Sequence, residues 1–256
     1  MIEETEAVVL RSMNYGDTSK IVTVYSKKFG KIRIIAKGAR NPKGNTFGSS
    51  LEAMTHSSIV LYKKEHRDLH LLSKSEIVRH HNRLQGESEK LFTGLALIEL
   101  VDMAMHDEAE NETVFTLLID SLRAIDEAVK NSINVFIAFQ LRLFENFGFG
   151  LSLASCERCG RNAHDHEFPF VLLRLSDGKF VCSACSEGTN AGGVRISGGI
   201  LRSLHFLQTS ELSKTVSLQL SSSSKDEILD VIQSYLRYHI EGSRTLRSLS
   251  LLYSNR

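Results

Sequence analysis

Four cysteines carry the spacing with the clearest chemistry in this sequence. They form two Cys-x-x-Cys pairs, Cys156 with Cys159 and Cys182 with Cys185, separated by 22 residues. Each pair can present two thiolates on one tight turn, and two facing turns supply the four soft ligands of a tetrahedral zinc ion. Because four sulfurs leave no position for water, we expect one structural Zn²⁺ rather than a catalytic one.

Other uses of these cysteines are less consistent with the pattern. Two disulfides would require an oxidising compartment, and redox-active dithiols rarely come as two matched pairs. His164 and His166 lie between the pairs and could replace a cysteine as ligand. The zinc interpretation uses all four cysteines of the chain.

A second candidate for chemistry is the stretch IIAKGARNPKGN, which combines glycines with bases and contains no acid. A mononucleotide loop would need GxxxxGK followed by Ser or Thr, between a strand and a helix. Here Asn45 follows Gly44 directly, and no helical pattern begins. The stretch therefore predicts contact with phosphates other than those of a bound mononucleotide.

The bases of this stretch belong to a longer basic region. Residues 11–43 contain nine basic residues against one acid, whereas residues 86–146 contain 12 acids against four bases. This asymmetry favours polyanion binding by the N-terminal part, although a solvated charged face remains the simpler alternative. The candidate contacts to a nucleic-acid backbone are Arg11, Lys20, Lys27, Lys28, Lys31, Arg33, Lys37, Arg40 and Lys43.

Aromatic residues are interleaved with these bases, at Tyr15, Tyr25, Phe29 and Phe47. Proteins that track a single strand combine cations for the phosphates with ring faces for the bases. Some of these rings must fill a hydrophobic core instead, and the sequence cannot sort them.

The first 82 residues have the pattern of a small β-barrel. Five short β-branched segments follow one another with turn-like stretches and no long helix between them. In the third, Ile32 and Ile34 alternate with Lys31 and Arg33, so apolar and basic side chains face opposite sides of a strand. The strand count and length match the five-stranded oligonucleotide/oligosaccharide-binding barrel, the OB-fold.

The rest of the chain, 83–256, reads as helical. Apolar residues recur with a period near 3.6, and the cysteines lie in an insert at about 152–195. Ser224 and Glu227 have capping-box spacing and predict the start of a late helix. The predicted fold class is α+β: an N-terminal OB-fold β-barrel, then an all-α helical domain with an interposed four-cysteine zinc module.

Several functional classes are excluded or weakly supported. The chain shows neither a signal peptide nor an apolar run near the roughly 18 residues that span a bilayer, so we expect a cytoplasmic protein.

The dipeptide His106-Asp107 occurs in metal-dependent phosphohydrolases of the HD type, with His80, His81 and Asp120 as nominal further ligands. Their spacings are short, and no other catalytic constellation stands out, so we expect no enzyme activity.

Together these features resemble the RecO family of bacterial DNA repair and recombination proteins. The local similarity is strongest over residues 5–40, which read TEAVVLRSMNYGDTSKIVTVYSKKFGKIRIIAKGAR. Within it stand Tyr15-Gly16-Asp17, Gly30 and the run from Ala36 to Arg40. The resemblance spans essentially the whole chain, and the cysteines support it without being required, because some family members lack them.

What the resemblance implies is a nucleic-acid-binding protein without covalent chemistry. The family binds single- and double-stranded DNA, anneals complementary strands coated by single-strand DNA-binding protein, and helps RecR to load the recombinase RecA. Lys37, Gly38 and Arg40, with Lys43 just beyond, fall in the family's DNA-contacting barrel. We expect a nucleoid-associated protein that is monomeric on its own. An RNA-binding OB and zinc protein, or a protein adaptor, are the alternatives.

Overall fold

The computed structural model describes residues 1–41, 44, 47–64, 67–84, 86–164, 167–186 and 193–254. The chain divides into two compact units, Met1–Glu127 together with Leu246–Arg256, and Ala128–Thr245. The domain boundary that the sequence suggests at residue 82 stays a prediction, because it marks a change of periodicity rather than of packing.

The first unit contains the predicted barrel. Its strands form a closed sheet in the order β1-β2-β3-β5-β4, with β3 and β5 parallel and the other neighbours antiparallel. The bounds are β1 Ile2–Tyr15, β2 Ser19–Ser26, β3 Gly30–Ala36, β4 His56–Tyr62 and β5 Leu69–Arg79. The prediction of a five-stranded N-terminal barrel is therefore confirmed.

Two sequence features explain why the sheet closes. The predicted alternation in β3 is confirmed, because Ile32, Ile34 and Ala36 are buried in the barrel core while Arg33 is exposed. Strand β1 pairs with β4 along its first half and with β2 along its second half. A register shift between Val9 and Arg11 lets the strand bend between these two partners.

Three helices complete the first unit: α1 Ser88–Ala104, α2 Glu112–Glu127 and α8 Arg247–Ser254. The Glu99 carboxylate on α1 accepts hydrogen bonds from the backbone N–H groups of Arg247 and Ser248, at 3.0 and 3.1 Å. Glu99 thereby satisfies N–H groups at the start of α8 that have no partner inside the helix.

The segment between α1 and α2 lies against the start of β3. The N–H of Glu108 donates to the Lys31 carbonyl at 2.9 Å. A Cβ atom at Gly30 would stand 2.1 Å from the Ala109 carbonyl oxygen, and Gly30 has φ +61°. Only glycine fits here, because both the contact and the backbone conformation exclude a side chain.

The second unit is helical around a small sheet. Its helices are α3 Ile133–Asn146, α4 Ser183–Ser186, α5 Gly198–Thr209, α6 Leu212–Thr215 and α7 Ser222–His239. The sheet has the order β7-β6-β8, with bounds β6 Phe170–Leu173, β7 Phe180–Cys182 and β8 Val194–Ser197. The predicted fold class, with its cysteine-bearing insert among helices, is confirmed.

One helix start was predicted wrongly. Helix α7 begins at Ser222, and its N-cap is Ser221, whose hydroxyl accepts from the Ser224 N–H at 3.1 Å. The capping box assigned to Ser224 and Glu227 is therefore three residues too late. Any serine of the run 221–224 has the side chain for an N-cap, so the sequence alone could not select the right one.

We predict that Gly30→Ala destabilises the first unit more than Gly16→Ala does. Gly16 also has positive φ, at +55°, but an added Cβ there meets nothing within 4 Å. Gly16→Ala should cost about 1 kcal/mol for the backbone conformation alone, lowering Tm by about 2–4 °C. Gly30→Ala should lower Tm at least twice as far in thermal unfolding followed by circular dichroism. Equal shifts would mean that the segment at Ala109 is not held against β3.

Candidate nucleic-acid interface and metal centre

The four cysteines lie together in the second unit. Their sulfur atoms are all within 4.8 Å of one another, and the sulfurs of Cys159 and Cys182 are 3.8 Å apart. Four sulfurs about 2.3 Å from a central Zn²⁺ would be separated by about 3.8 Å. The arrangement therefore fits a tetrahedral metal ion, and the four sulfurs are not paired as disulfides.

Backbone hydrogen bonds shape the first cysteine turn. The N–H of Cys156 donates to the Arg161 carbonyl and the N–H of Gly160 donates to the Cys156 carbonyl, both at 2.9 Å. Gly160 has φ +69°, which closes the turn. This local geometry brings Cys159 back toward Cys156.

The second turn is built differently. Strand β7 ends at Cys182, and Cys185 lies on the short helix that follows. The two turns are held together by the N–H of Glu157, which donates to the Phe180 carbonyl at 3.0 Å. Arg158 adds a side-chain hydrogen bond of 3.0 Å to the carbonyl of Cys185.

The electrostatics of the site favour a cation. Burial raises the pKa of Cys156, but N–H groups of Cys182, Cys159 and Arg158 outweigh burial and lower it to about 6. In contrast, hydrogen bonds with Cys182 and Cys159 raise the pKa of Cys185 to about 12. Thiolates this close repel one another unless a cation lies between them.

The histidines considered as alternative ligands are not part of the cluster. His164 contacts His205 instead, with ring centroids 5.0 Å apart, and His166 lies outside the described residues. Across the described residues, the four cysteines are the one group of three or more His, Cys, Asp or Glu side chains that could hold a metal ion.

The structure divides eight of the nine predicted basic contacts into two groups. Three of them pair with acids in or near the segment between α1 and α2. Arg11 Nε lies 3.3 Å from Asp102 Oδ2, and Lys27 Nζ lies 2.9 Å from Glu112 Oε1. The hydrogen bond with Glu112 raises the pKa of Lys27.

Lys31 is the most enclosed of the three. Its side chain is 14% exposed and its Nζ lies 3.3 Å from Asp107 Oδ1. The same Nζ donates to the Asp102 carbonyl at 2.8 Å. These contacts offset the charge of Lys31 and attach the start of β3 to the segment that follows α1.

A second group has no carboxylate within ion-pairing distance among the residues described. It consists of Lys20, Lys28, Arg33, Lys37 and Arg40. Arg33, Lys37 and Arg40 are exposed, whereas Lys20 is partly buried. Lys28 lines a shallow groove with Glu4 and Glu6. Lys43 lies outside the described residues.

The turn after β3 is tied to the turn between β1 and β2. The N–H of Arg40 donates to the Thr18 carbonyl at 2.8 Å, and Arg40 Nη1 donates to the Gly16 carbonyl at 3.2 Å. Gly38 has φ +74°, which allows the tight turn. The exposed Lys37 and Arg40 are therefore presented by a braced pair of turns at one end of the barrel.

The structure also sorts the aromatic residues that the sequence left unassigned. Tyr25 and Phe47 are buried. Phe29 packs against the barrel core, with Lys63 Nζ 5.4 Å from its ring centroid. Tyr15 alone of the four is largely exposed, at 52%.

Sequence reasoning missed several exposed residues of the same barrel. Tyr62 is 40% exposed at the end of β4, and Lys64 and Arg67 are exposed in the loop before β5. Leu69, which follows that loop, is the register partner of Arg33. The sequence does contain a signal for them, because Lys64 and Arg67 flank Glu65-His66. These two bases lie outside residues 11–43, the region with the highest density of bases.

The residues considered for phosphohydrolase chemistry are not brought together. Asp107 pairs with Lys31, and Asp120 pairs with Arg123 at 2.9 Å. His81 is buried two residues after the end of β5.

No helix in the described part of the chain is long and apolar enough to cross a membrane.

Comparison with known proteins places the chain in a family. Residues 1–81 match the family described as recombination protein O N terminal, and residues 85–249 match recombination protein O C terminal. The chain is 32% identical to "DNA repair protein RecO" of Chloroherpeton thalassium over 97% of this chain and 96% of the relative. It is also 32% identical to the protein of that name from Salinibacter ruber, covering 98% and 93%. This chain belongs to the RecO family of DNA repair and recombination proteins.

Proposed function

We propose that this protein is a non-enzymatic recombination mediator that binds single- and double-stranded DNA. In this proposal it anneals complementary strands coated by single-strand DNA-binding protein, and together with RecR it helps to load RecA. The observation that carries the proposal is the set of exposed bases on the barrel that no described carboxylate offsets. Family membership supplies the repair context.

The DNA would follow the outer surface of β3. Arg33 lies midway along this strand, and Lys37 stands four residues further on, about 13 Å away at the rise of a β-strand. On the neighbouring strand β5, Leu69 is the register partner of Arg33. The exposed bases Arg67 and Lys64 precede Leu69 in the loop before β5. Tyr15 and Tyr62 add exposed rings on which bases can stack.

Annealing on such a surface would be electrostatic. Cations reduce the repulsion between two phosphate backbones, and base pairing itself supplies the sequence specificity. Contacts to phosphates carry no sequence information, so we expect little sequence preference. The protein would act in the cytoplasm at the nucleoid, as a monomer before it meets RecR.

We further propose that the ion held by the four cysteines is Zn²⁺ with a structural role. Four thiolates suit zinc and complete its coordination. When bound, the ion would join the turn at Cys156 to the end of β7, so that this small sheet is held by metal as well as by its few hydrogen bonds.

Replacing Cys182 with Ser should release one equivalent of zinc and lower the Tm of the second unit. Binding free energy at such a site contributes directly to folding. Metal content measured by mass spectrometry and thermal unfolding with and without a chelator would test this. Ala184→Ser is the matched control, because it introduces the same side chain at an exposed position between two ligands. A zinc-free Cys182→Ser protein with an unchanged Tm would contradict the structural role.

Replacing Lys37 and Arg40 with Ala should weaken single-strand binding for all sequences. Losing two phosphate contacts should make the slope of log affinity against log salt shallower by about 1.4. Fluorescence anisotropy across a salt series measures both quantities.

The matched control is the double variant Arg11→Ala with Lys27→Ala. It removes the same charge from the same barrel, but at positions already paired with Asp102 and Glu112. Its salt slope should stay near that of the unmodified protein. An equal effect of both variants would assign binding to net charge rather than to the turn. Tighter binding of an RNA strand of the same sequence would favour an RNA-binding function.

A further inference from the structure

An acidic stretch of the first unit covers part of the basic surface of the barrel. Residues 102–112, from the last turn of α1 to the first residue of α2, contain five acids and neither Lys nor Arg. Four of these acids form ion pairs with bases of the barrel: Asp102 with Arg11, Asp107 with Lys31, Glu108 with Lys63 and Glu112 with Lys27. The stretch therefore presents a series of negative charges to the barrel, as a nucleic-acid backbone would.

Bases paired with this stretch lie next to bases that remain exposed. Arg11 and Arg33 are both register partners of Thr23, so they lie in one row across the outer face of the sheet, about 10 Å apart at the spacing of two strands. Lys27 directly precedes the exposed Lys28. The acidic stretch therefore interrupts the free basic surface at places where it would otherwise continue.

The attachment of the stretch to the barrel rests on contacts within it. The N–H of Glu108 donates to the Lys31 carbonyl at 2.9 Å, and Lys31 Nζ donates to the Asp102 carbonyl at 2.8 Å. The Tyr25 hydroxyl donates to the Asn111 carbonyl at 3.4 Å. None of these hydrogen bonds uses a carboxylate, so the stretch can stay in place when the acids at its two ends are neutral.

The ion pairs at the two ends of the stretch, which we call the end pairs, are open to solvent. The side chains of Arg11 and Asp102 are 64% and 25% exposed, and those of Lys27 and Glu112 are 44% and 65% exposed. Exposed ion pairs contribute little to stability, because water screens them. They still cancel the charge of both bases, since a phosphate that approaches either base also meets a carboxylate of like charge.

We propose that Arg11 and Lys27 are a closed part of the nucleic-acid-binding surface, and that Asp102 and Glu112 are the internal competitor that keeps it closed. The carboxylates occupy the positions that phosphates of a longer bound strand would take. Closing two phosphate sites weakens the grip of the barrel on a strand, so that the strand dissociates faster, as the release of an annealed duplex requires. This inference rests on the proposed DNA-binding function.

The test uses the acid-neutral variant, Asp102→Asn with Glu112→Gln, which keeps the shape of both side chains and removes their charge. Full-length, zinc-loaded protein is titrated with a labelled strand of thymidine nucleotides across a salt series. The affinity of the variant should rise about threefold or more, and its slope of log affinity against log salt should be steeper by about 1.4, because two more phosphates are contacted. The strand should also dissociate more slowly in stopped-flow measurements.

The decisive comparison adds Arg11→Ala and Lys27→Ala to the acid-neutral variant. The resulting quadruple variant has the same net charge as the unmodified protein. If the gain comes from the two uncovered bases, its affinity and salt slope should return to those of the unmodified protein.

The matched control is Glu110→Gln with Asp120→Asn. It removes the same two negative charges from the same unit, but Glu110 is exposed and Asp120 pairs with Arg123 rather than with the barrel. Its salt slope should stay near that of the unmodified protein.

Stability supplies a further readout. Because the end pairs are exposed, the acid-neutral variant should unfold close to the Tm of the unmodified protein. If the double variant does not fold, Asp102→Asn and Glu112→Gln are measured singly, and each should make the salt slope steeper by about 0.7.

The possible outcomes separate this inference from the proposed function. An unchanged affinity and salt slope in the folded acid-neutral variant would overturn the internal competitor. A gain that persists in the quadruple variant, or an equal gain in the control, would also overturn it, because net charge would then be the cause. In each of these cases, salt-sensitive binding by the unmodified protein would still support the proposed function. If the unmodified protein does not bind the strand, the proposed function fails and the inference fails with it.

Discussion

The contact between the start of β3 and the segment after α1 determines how the first unit works. Gly30 allows the Ala109 carbonyl to approach the strand, and Lys31 binds both the carbonyl of Asp102 and the carboxylate of Asp107. This contact uses part of the positive charge of the barrel to hold α1 and α2 against it. The bases Arg33, Lys37 and Arg40 stay exposed to solvent. The contact between β3 and this segment therefore influences both how α1 and α2 pack on the barrel and which basic residues remain without an acidic partner.

The second unit depends on a different kind of constraint. Its sheet has three strands of three or four residues, and isolated sheets this small are marginally stable. The cysteine turns lie at the edge of this sheet, where Cys182 ends β7. A metal ion between the turns would supply the stability that so few ladder hydrogen bonds cannot.

The local features of both units could be predicted from the sequence. Alternation in β3 and the two Cys-x-x-Cys pairs depend on neighbours a few residues apart, so pattern alone locates them. Arg11, Lys27 and Lys31 form ion pairs with acids about 70 to 90 residues later in the chain. Counting charges cannot reveal that pairing. The same holds for Tyr25 and Phe47, whose burial is decided by tertiary packing.

The central proposal is that the exposed basic residues of the barrel bring two DNA strands together. Strand annealing tests this proposal most directly. Two complementary oligonucleotides, each coated with single-strand DNA-binding protein from the same source, are mixed with and without stoichiometric zinc-loaded protein and without any nucleotide. The account predicts faster duplex formation, which weakens as salt is raised because the attraction is electrostatic. An annealing rate that the folded protein does not change would contradict it.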